Sequence, residues 1–546
     1  MEDSNKKEDD RKNEKEEPFS QDVENSAQNK NKSKIKKILF IIIPLILIVI
    51  ILIIFLIIYS RSEPDDDGIN IITITYDITN TYKNYKLFDT SSTKIMKSIK
   101  SMTINNTNIE PISNYKFKET GLYIVNMTLK NNLDTLSSLF KDCTNLLIID
   151  FSKFDFEKIK NISYLFYGCS SLVKIIWPDE VNSKNLKDMS YSFYGCTLLY
   201  SLSLSNFKLS SLIDMKYAFS HCSLLTKIDM RDIDTSNVID MEGLFDSCSS
   251  INNLYGTNFN INTSKVKSMS KMFNGCTSLE GVYLSTFKTD NVKDFSFMFN
   301  SCGKLDYLNL NNFNTSQAIS MKEMFKDCSS LTSLDLNNFN TDKVVDIYQM
   351  FSGCYNLGYL YINNFNTSKI INMYNLFYNC SSLYNLYLAS FDTSNVLTMS
   401  GMFSHCSSLS FLDLSNFNFS KTVNLDNMFN NCSSLSSVTF NKKIKYNDLP
   451  KLSYMDNMFK SCQNLLSVDL GNFIINNTLN VNGLFEDCSK LSYINLSYFD
   501  TNNLEYYENA FKGINNEGTL VINSSKFDEN ILNDLPEDWE IIDINK

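Results

Sequence analysis

Histidine and tryptophan are nearly missing from this chain, with two of each in 546 residues. So few imidazoles leave little material for metal sites or acid–base chemistry. Proline and glycine are scarce as well, at seven and sixteen. The sequence holds no glycine-rich phosphate loop, no G-x-S-x-G elbow and no H-E-x-x-H. Closely spaced cysteine pairs of the zinc type are absent too. Positive charge is not in excess, since the formal net charge is −11. That argues against nucleic acid as a partner, because its binding needs a basic footprint. The expectation from these absences is a protein that is not an enzyme and uses no cofactor or metal.

What the chain does contain is a beat. Its fourteen cysteines run from Cys143 to Cys488, and ten of the thirteen intervals between them are 26 residues. Each follows a phenylalanine by three positions and precedes a leucine or isoleucine by three. Self-similarity of this period means one small unit stacked many times. Within a unit, Val238, Met241, Leu244, Phe245 and Cys248 follow helical spacing. This predicts a short helix with one apolar face, capped by Thr235 or Ser236. Leu334 and Leu336 alternate with polar neighbours, as a short half-buried strand would. The fold expected is a repeat solenoid of leucine-rich-repeat type, with parallel strands on one face and short helices on the other.

The rest of the chain frames that array. Residues 1–37 carry ten acidic and ten basic side chains and almost nothing apolar, which predicts a disordered tail. Residues 38–59 are an uncharged apolar run of 22, long enough for a transmembrane helix. Lysines precede the run and acids follow it, so the tail is expected in the cytoplasm and the remainder outside, as a single-pass type II signal anchor. A cleaved signal peptide would have a shorter apolar stretch and a small-residue cleavage site. A linker at 60–68, a small β-rich domain at 69–129, sandwich-like and covering the open end of the array, a solenoid at 130–504 and a C-terminal cap at 505–546 complete the expected layout. The cap reads as strand, helix, strand.

The phrase Met-Phe-x-x-Cys-x-x-Leu-x-x-Leu-x-Leu-x-x-Phe-Asn-Thr-Ser, well seen across 321–368, resembles the BspA-like leucine-rich repeats. More narrowly it is similar to the 26-residue bacterial surface-protein repeat of mycoplasma lipoproteins. The resemblance spans about 133–504 and implies a cell-surface adhesion or recognition protein with no catalytic residues to carry over. The chain departs from the lipoproteins in its apolar N-terminal run and in having no cysteine before Cys143. A eukaryotic membrane-anchored member is therefore expected.

Three residue sets need weighing. The cysteines share a core register, which suits buried free thiols; parallel Cβ vectors on neighbouring rungs make disulfides the poorer alternative. A serine at Cys328 would need a polar partner in an apolar core. His221 and His405 each precede a cysteine and could make a nucleophile pair, but other repeats place Gly, Ser, Asp or Asn there. Asp150, Asp229, Asp335, Asp413 and Asp469 share one register and read either as an acidic array or as an exposed polar face.

The strongest functional signal is aromatic. Outward strand positions supply Tyr255, Tyr283, Tyr307, Tyr359, Tyr361, Tyr387 and Phe411. Tyrosine offers large, rigid, amphipathic contact area, although aromatics also simply suit strands. The expected partner is a protein or glycan at an exterior surface, together with the membrane through 38–59. Lateral self-association, as in a structural coat, is the alternative.

Overall fold

One 26-residue unit has no second layer to bury its apolar side against, so it must stack on its neighbours. In a computed structural model that describes residues 70–254, 259, 261–441, 452–471, 473, 480–502 and 504–545, it does so for fourteen successive cysteine-centred rungs. The tail, the apolar run and the linker lie outside the described residues. Among the described residues no helix is long and apolar enough to cross a membrane.

Most rungs carry a strand of a few residues, and these pair in parallel with a neighbouring rung in short ladders. Ser333, Leu334 and Asp335 align with Tyr359, Leu360 and Tyr361. Leu334 and Leu360 point inward and are buried, while their neighbours face solvent. That is the period of two expected of half-buried strands.

The opposite face differs from the expectation. Its segments are rows of tight turns, and among the described residues the one α-helix is Thr93–Met96. Around Cys328, the amides of Met324 and Cys328 donate back three residues, to Met321 and Phe325. The amides of Met321, Glu323, Phe325 and Asp327 donate instead to the next rung, at 2.7–3.0 Å. Glu323 and Asp327 take the left-handed conformation, with φ of 52° and 57°, as the third residue of such turns requires. The physical reason is width. A helix is about 10 Å across, whereas parallel strands stack about 4.8 Å apart. A row of turns lets both faces advance by the same step and still gives these amides partners. The apolar spacing of Met321, Met324, Phe325 and Cys328 serves either arrangement.

Thr235 is correspondingly not a helix cap. Its buried hydroxyl accepts from the amide of Asn262 at 2.7 Å and donates to the carbonyl of the same residue at 3.0 Å. Thr263, Thr289, Thr315, Thr341 and Thr393 repeat this clamp on the following rungs. Replacing Thr341 with valine keeps the shape and strands the Asn366 amide. We expect a loss of about 1–3 kcal/mol, read as a lower urea midpoint; a midpoint equal to wild type would mean that water takes over the bond.

Between the faces runs a stack of phenylalanines, one per rung, from Phe140 through Phe325 to Phe511. Its members lie with ring centroids 5.1–6.0 Å apart. Beside it run the fourteen cysteines, all free and buried. Each from Cys169 onward donates its thiol to the phenylalanine carbonyl of the preceding rung, as Cys328 does to Phe299 at 3.2 Å. The partner that a serine at Cys328 would need is thus already in place, and the cost expected from the sequence shrinks accordingly.

The N-terminal region also departs from expectation. In chain order it holds β1 (Asn70–Ile78), β2 (Tyr85–Lys86), α1 (Thr93–Met96), β3 (Ile99–Ile104), β4 (Thr107–Ile109), β5 (Asn114–Tyr115) and β6 (Gly121–Leu129). The solenoid then opens with β7 (Leu146–Asp150) and β8 (Lys174–Ile176). β1 pairs antiparallel with β6 on one side and with β7 on the other, giving the sheet order β4-β3-β6-β1-β7-β8. The region is therefore no separate sandwich over the open end. Its sheet continues into the solenoid's own, and residues Ile69–Lys546 form one compact unit. Without β1 the first rung strand would be an open edge able to pair with another chain.

At the far end, Glu517–Ile522 and Asp538–Asp543 extend the parallel ladder beyond Tyr493–Asn495. Two 3-10 turns, Ser524–Lys526 and Glu529–Asp534, lie between them. The two strands stand where the sequence suggests them, with short 3-10 turns in place of the expected helix.

Candidate functional site

The inward-outward alternation of the rung strands places the sequence-selected aromatics on one solvent face. Tyr283, Tyr307, Tyr359, Tyr361, Tyr387 and Phe411 are all exposed; Tyr255 lies outside the described residues. They do not form one surface. Tyr283 and Tyr307 are cut off from the others by the rung of Ser333 and Asp335, which pairs directly with Tyr359 and Tyr361. Three successive rungs bring together Tyr359, Tyr361, Tyr387 and Phe411.

A fifth member was not selected from the sequence. Tyr384 is exposed, and its ring meets that of Tyr359 edge-on at 5.4 Å. A hydrogen bond with Tyr359 pushes its phenol above the ordinary value. Tyr384 falls between the buried Leu383 and Leu386, outside the Leu-x-Leu phrase that guided the selection. Its signal was the unbroken Leu-Tyr-Asn-Leu-Tyr-Leu run at 383–388. Asp335 on one side and Asp413 beside Phe411 on the other border the patch with acid.

The aspartates in shared register have a local task. The carboxylates of Asp150, Asp229, Asp335, Asp413 and Asp469 each accept from the amide two residues on, at 2.7–3.1 Å. Asn309 and Asn495 do the same with their amide oxygens. They turn the chain at the end of each strand, which is the structural one of the two readings. Among the described residues no cluster of three or more His, Cys, Asp and Glu could hold a metal ion.

The histidine–cysteine neighbours point apart. The thiols of Cys222 and Cys406 donate to the Phe193 and Phe377 carbonyls. Burial pushes both up to about 12, so they stay protonated at neutral pH. His221 instead rests against Tyr194 at 4.9 Å and His405 against Tyr378 at 5.4 Å. Both histidines lie on the turn face, where a second aromatic set occurs that the sequence reading did not single out. Tyr164, Tyr191 and Tyr217 stack rung on rung at 4.8 and 5.2 Å, nearly parallel. All three have positive φ, a conformation uncommon for bulky residues. Stacked this way they cover one another's faces.

Against known proteins, the family described as "Mycoplasma protein of unknown function, DUF285" matches residues 134–259, 256–360, 357–438 and 435–523. The "BspA type Leucine rich repeat region (6 copies)" matches residues 73–188, which takes in the strands leading into the first rungs. No curated protein matches the chain. Among solved structures, a leucine-rich repeat protein from Bacteroides ovatus is 18% identical and has a TM-score of 0.40, with 80% of this chain and 90% of that chain covered. A leucine rich cell surface protein from Faecalibacterium prausnitzii is 17% identical, with 57% and 83% covered and a TM-score of 0.35. The functional domain of InlJ from Listeria monocytogenes, which includes a cysteine ladder, is 11% identical, with 73% of each chain covered and a TM-score of 0.16.

Proposed function

The chain belongs to the DUF285 family of leucine-rich-repeat proteins, and on that premise we propose that it is a cell-surface recognition protein that binds a protein ligand on its strand face. The observation that carries this reading is the patch of Tyr359, Tyr361, Tyr384, Tyr387 and Phe411. Five large aromatic side chains stand exposed on three neighbouring rungs. Contiguous exposed apolar surface of this kind marks interaction sites. Tyrosine-rich patches on a rigid sheet contribute contact area at little entropic cost. The acidic border of Asp335 and Asp413 favours a ligand whose apolar centre is rimmed by lysine or arginine. The protein performs no catalysis in this reading. It is anchored through 38–59 with residues 1–37 in the cytoplasm, which the lysines before that run and the acids after it support.

Tags at Met1 and Lys546 test the placement. The Lys546 tag should label on intact cells, and the Met1 tag only after permeabilisation. The reverse pattern would overturn the reading. Sedimentation of the full chain tests the alternative of a lateral coat: a recognition protein keeps one size across concentrations, whereas a coat protein grows.

A further inference from the structure

On the turn face, a short tyrosine column of two rings ends in an open space. Tyr348 and Tyr374 stack at 5.5 Å, nearly parallel. The next residue in this register is Ser400, which leaves the far side of the Tyr374 ring unstacked. Ser400 is followed by Gly401, whose φ is +64°, and a Cβ there would collide with the Asn375 side chain. The result is an open groove of about 300 Å³, one rung wide. Tyr374 and Tyr378 line one side, Gly401 lies at its base, and His405, Asn427 and Asn430 complete it.

Its chemistry is uniform. None of the lining residues is a carboxylate, lysine or arginine, in a chain where a fifth of the residues are charged. Asn amides both donate and accept, and Asn430 is already oriented by a 3.0 Å bond to Asn427. The His405 Nδ1 lies 3.1 Å from the amide nitrogen of Asn431. The groove thus joins aromatic faces to paired neutral donors and acceptors. A ring face is electron-rich and attracts the weakly positive C–H groups of a sugar, while amides read its hydroxyls. The volume sits at the small end of small-molecule sites, which span roughly 300–1,000 Å³.

We propose that this groove binds a single neutral pyranose unit, the terminal sugar of a glycan, stacked on Tyr374 and Tyr378 and hydrogen-bonded by Asn427 and Asn430. It is a site separate from the strand-face patch, and either can fail without the other.

The test is saturation-transfer NMR on the full chain, held in a zwitterionic detergent that contains no sugar. The probes are the methyl glycosides of glucose, galactose, mannose and N-acetylglucosamine. At least one should receive saturation on its ring C–H protons, with a Kd of about 1 mM. Ser400→Tyr continues the natural Tyr348–Tyr374 column and fills the groove with a ring that this register already accommodates. It should weaken that binding about tenfold or more and leave the melting curve unchanged. Asn430→Leu, which removes one amide without closing the groove, should weaken it as well and serves if Ser400→Tyr melts early. Tyr361→Ala on the strand face should leave it intact. Absence of transfer to all four glycosides, or equal transfer in both groove variants, would overturn the proposal.

Discussion

Replacing Phe325 with alanine is expected to destabilise the solenoid by about 3–5 kcal/mol. Its ring is fully buried and lies between Phe299 at 6.0 Å and Phe351 at 5.8 Å. Removal therefore opens a cavity and interrupts the stack in the middle of the array. In a solenoid, stability is close to a sum of repeat and neighbour-interface terms. The loss falls on two interfaces at once, and the rungs before and after it become less tightly coupled. Urea unfolding followed by circular dichroism should show a lower midpoint and a transition broadened or split in two. Lys343→Ala, an exposed change in the following rung, should move the midpoint little, within about 0.5 kcal/mol. A Phe325→Ala chain that unfolds like wild type would refute a continuous phenylalanine core.

The second large effect concerns binding. Tyr361→Ala, Tyr387→Ala and Phe411→Ala together should leave folding intact, because all three side chains face solvent. If the patch is the recognition surface, each should cost about 2 kcal/mol, roughly thirtyfold in affinity. The loss should be greatest for the residues nearest the centre of the contact. Tyr283→Ala, outside the patch, serves as the control and should cost far less. The affinity to measure is that for the protein cross-linked by the wild-type chain on cells. An unchanged affinity in a folded triple variant would mean that these rings only shield the sheet, and that recognition uses another surface.

The two results probe different parts of the molecule that were unequally legible. The stacking of Phe325 follows from its place three residues before Cys328 and from the 26-residue beat. A fixed period leaves equivalent residues no position other than one above another. For the same reason the inward direction of Leu334 and the outward direction of Tyr361 could be read from alternation alone. The patch itself could not. Tyr283, Tyr307 and Tyr387 look alike in the repeat, and only the pairing of Ser333 with Tyr359 separates the first two from the last. Tyr384 was overlooked because the half-buried phrase it belongs to, Leu-x-x-Leu, was read for its leucines.

The sequence by itself determined the solenoid, its period, and its phenylalanine and cysteine columns. These are local patterns repeated, and repetition converts each local preference into a column. The tertiary structure decided the rest. An apolar spacing of three, one and three suits a helix or a row of turns, and only the common rung step of the two faces selects the turns. β1 could have packed as a separate sandwich, and the need to cover the edge of β7 drew it into the solenoid's sheet. The threonines could have capped helices, and with no helix to cap their hydroxyls clamp the next rung instead. In each case the sequence offered two satisfactory local arrangements, and the neighbour one rung away, about 26 residues distant in the chain, determined which gave the backbone its hydrogen-bond partners.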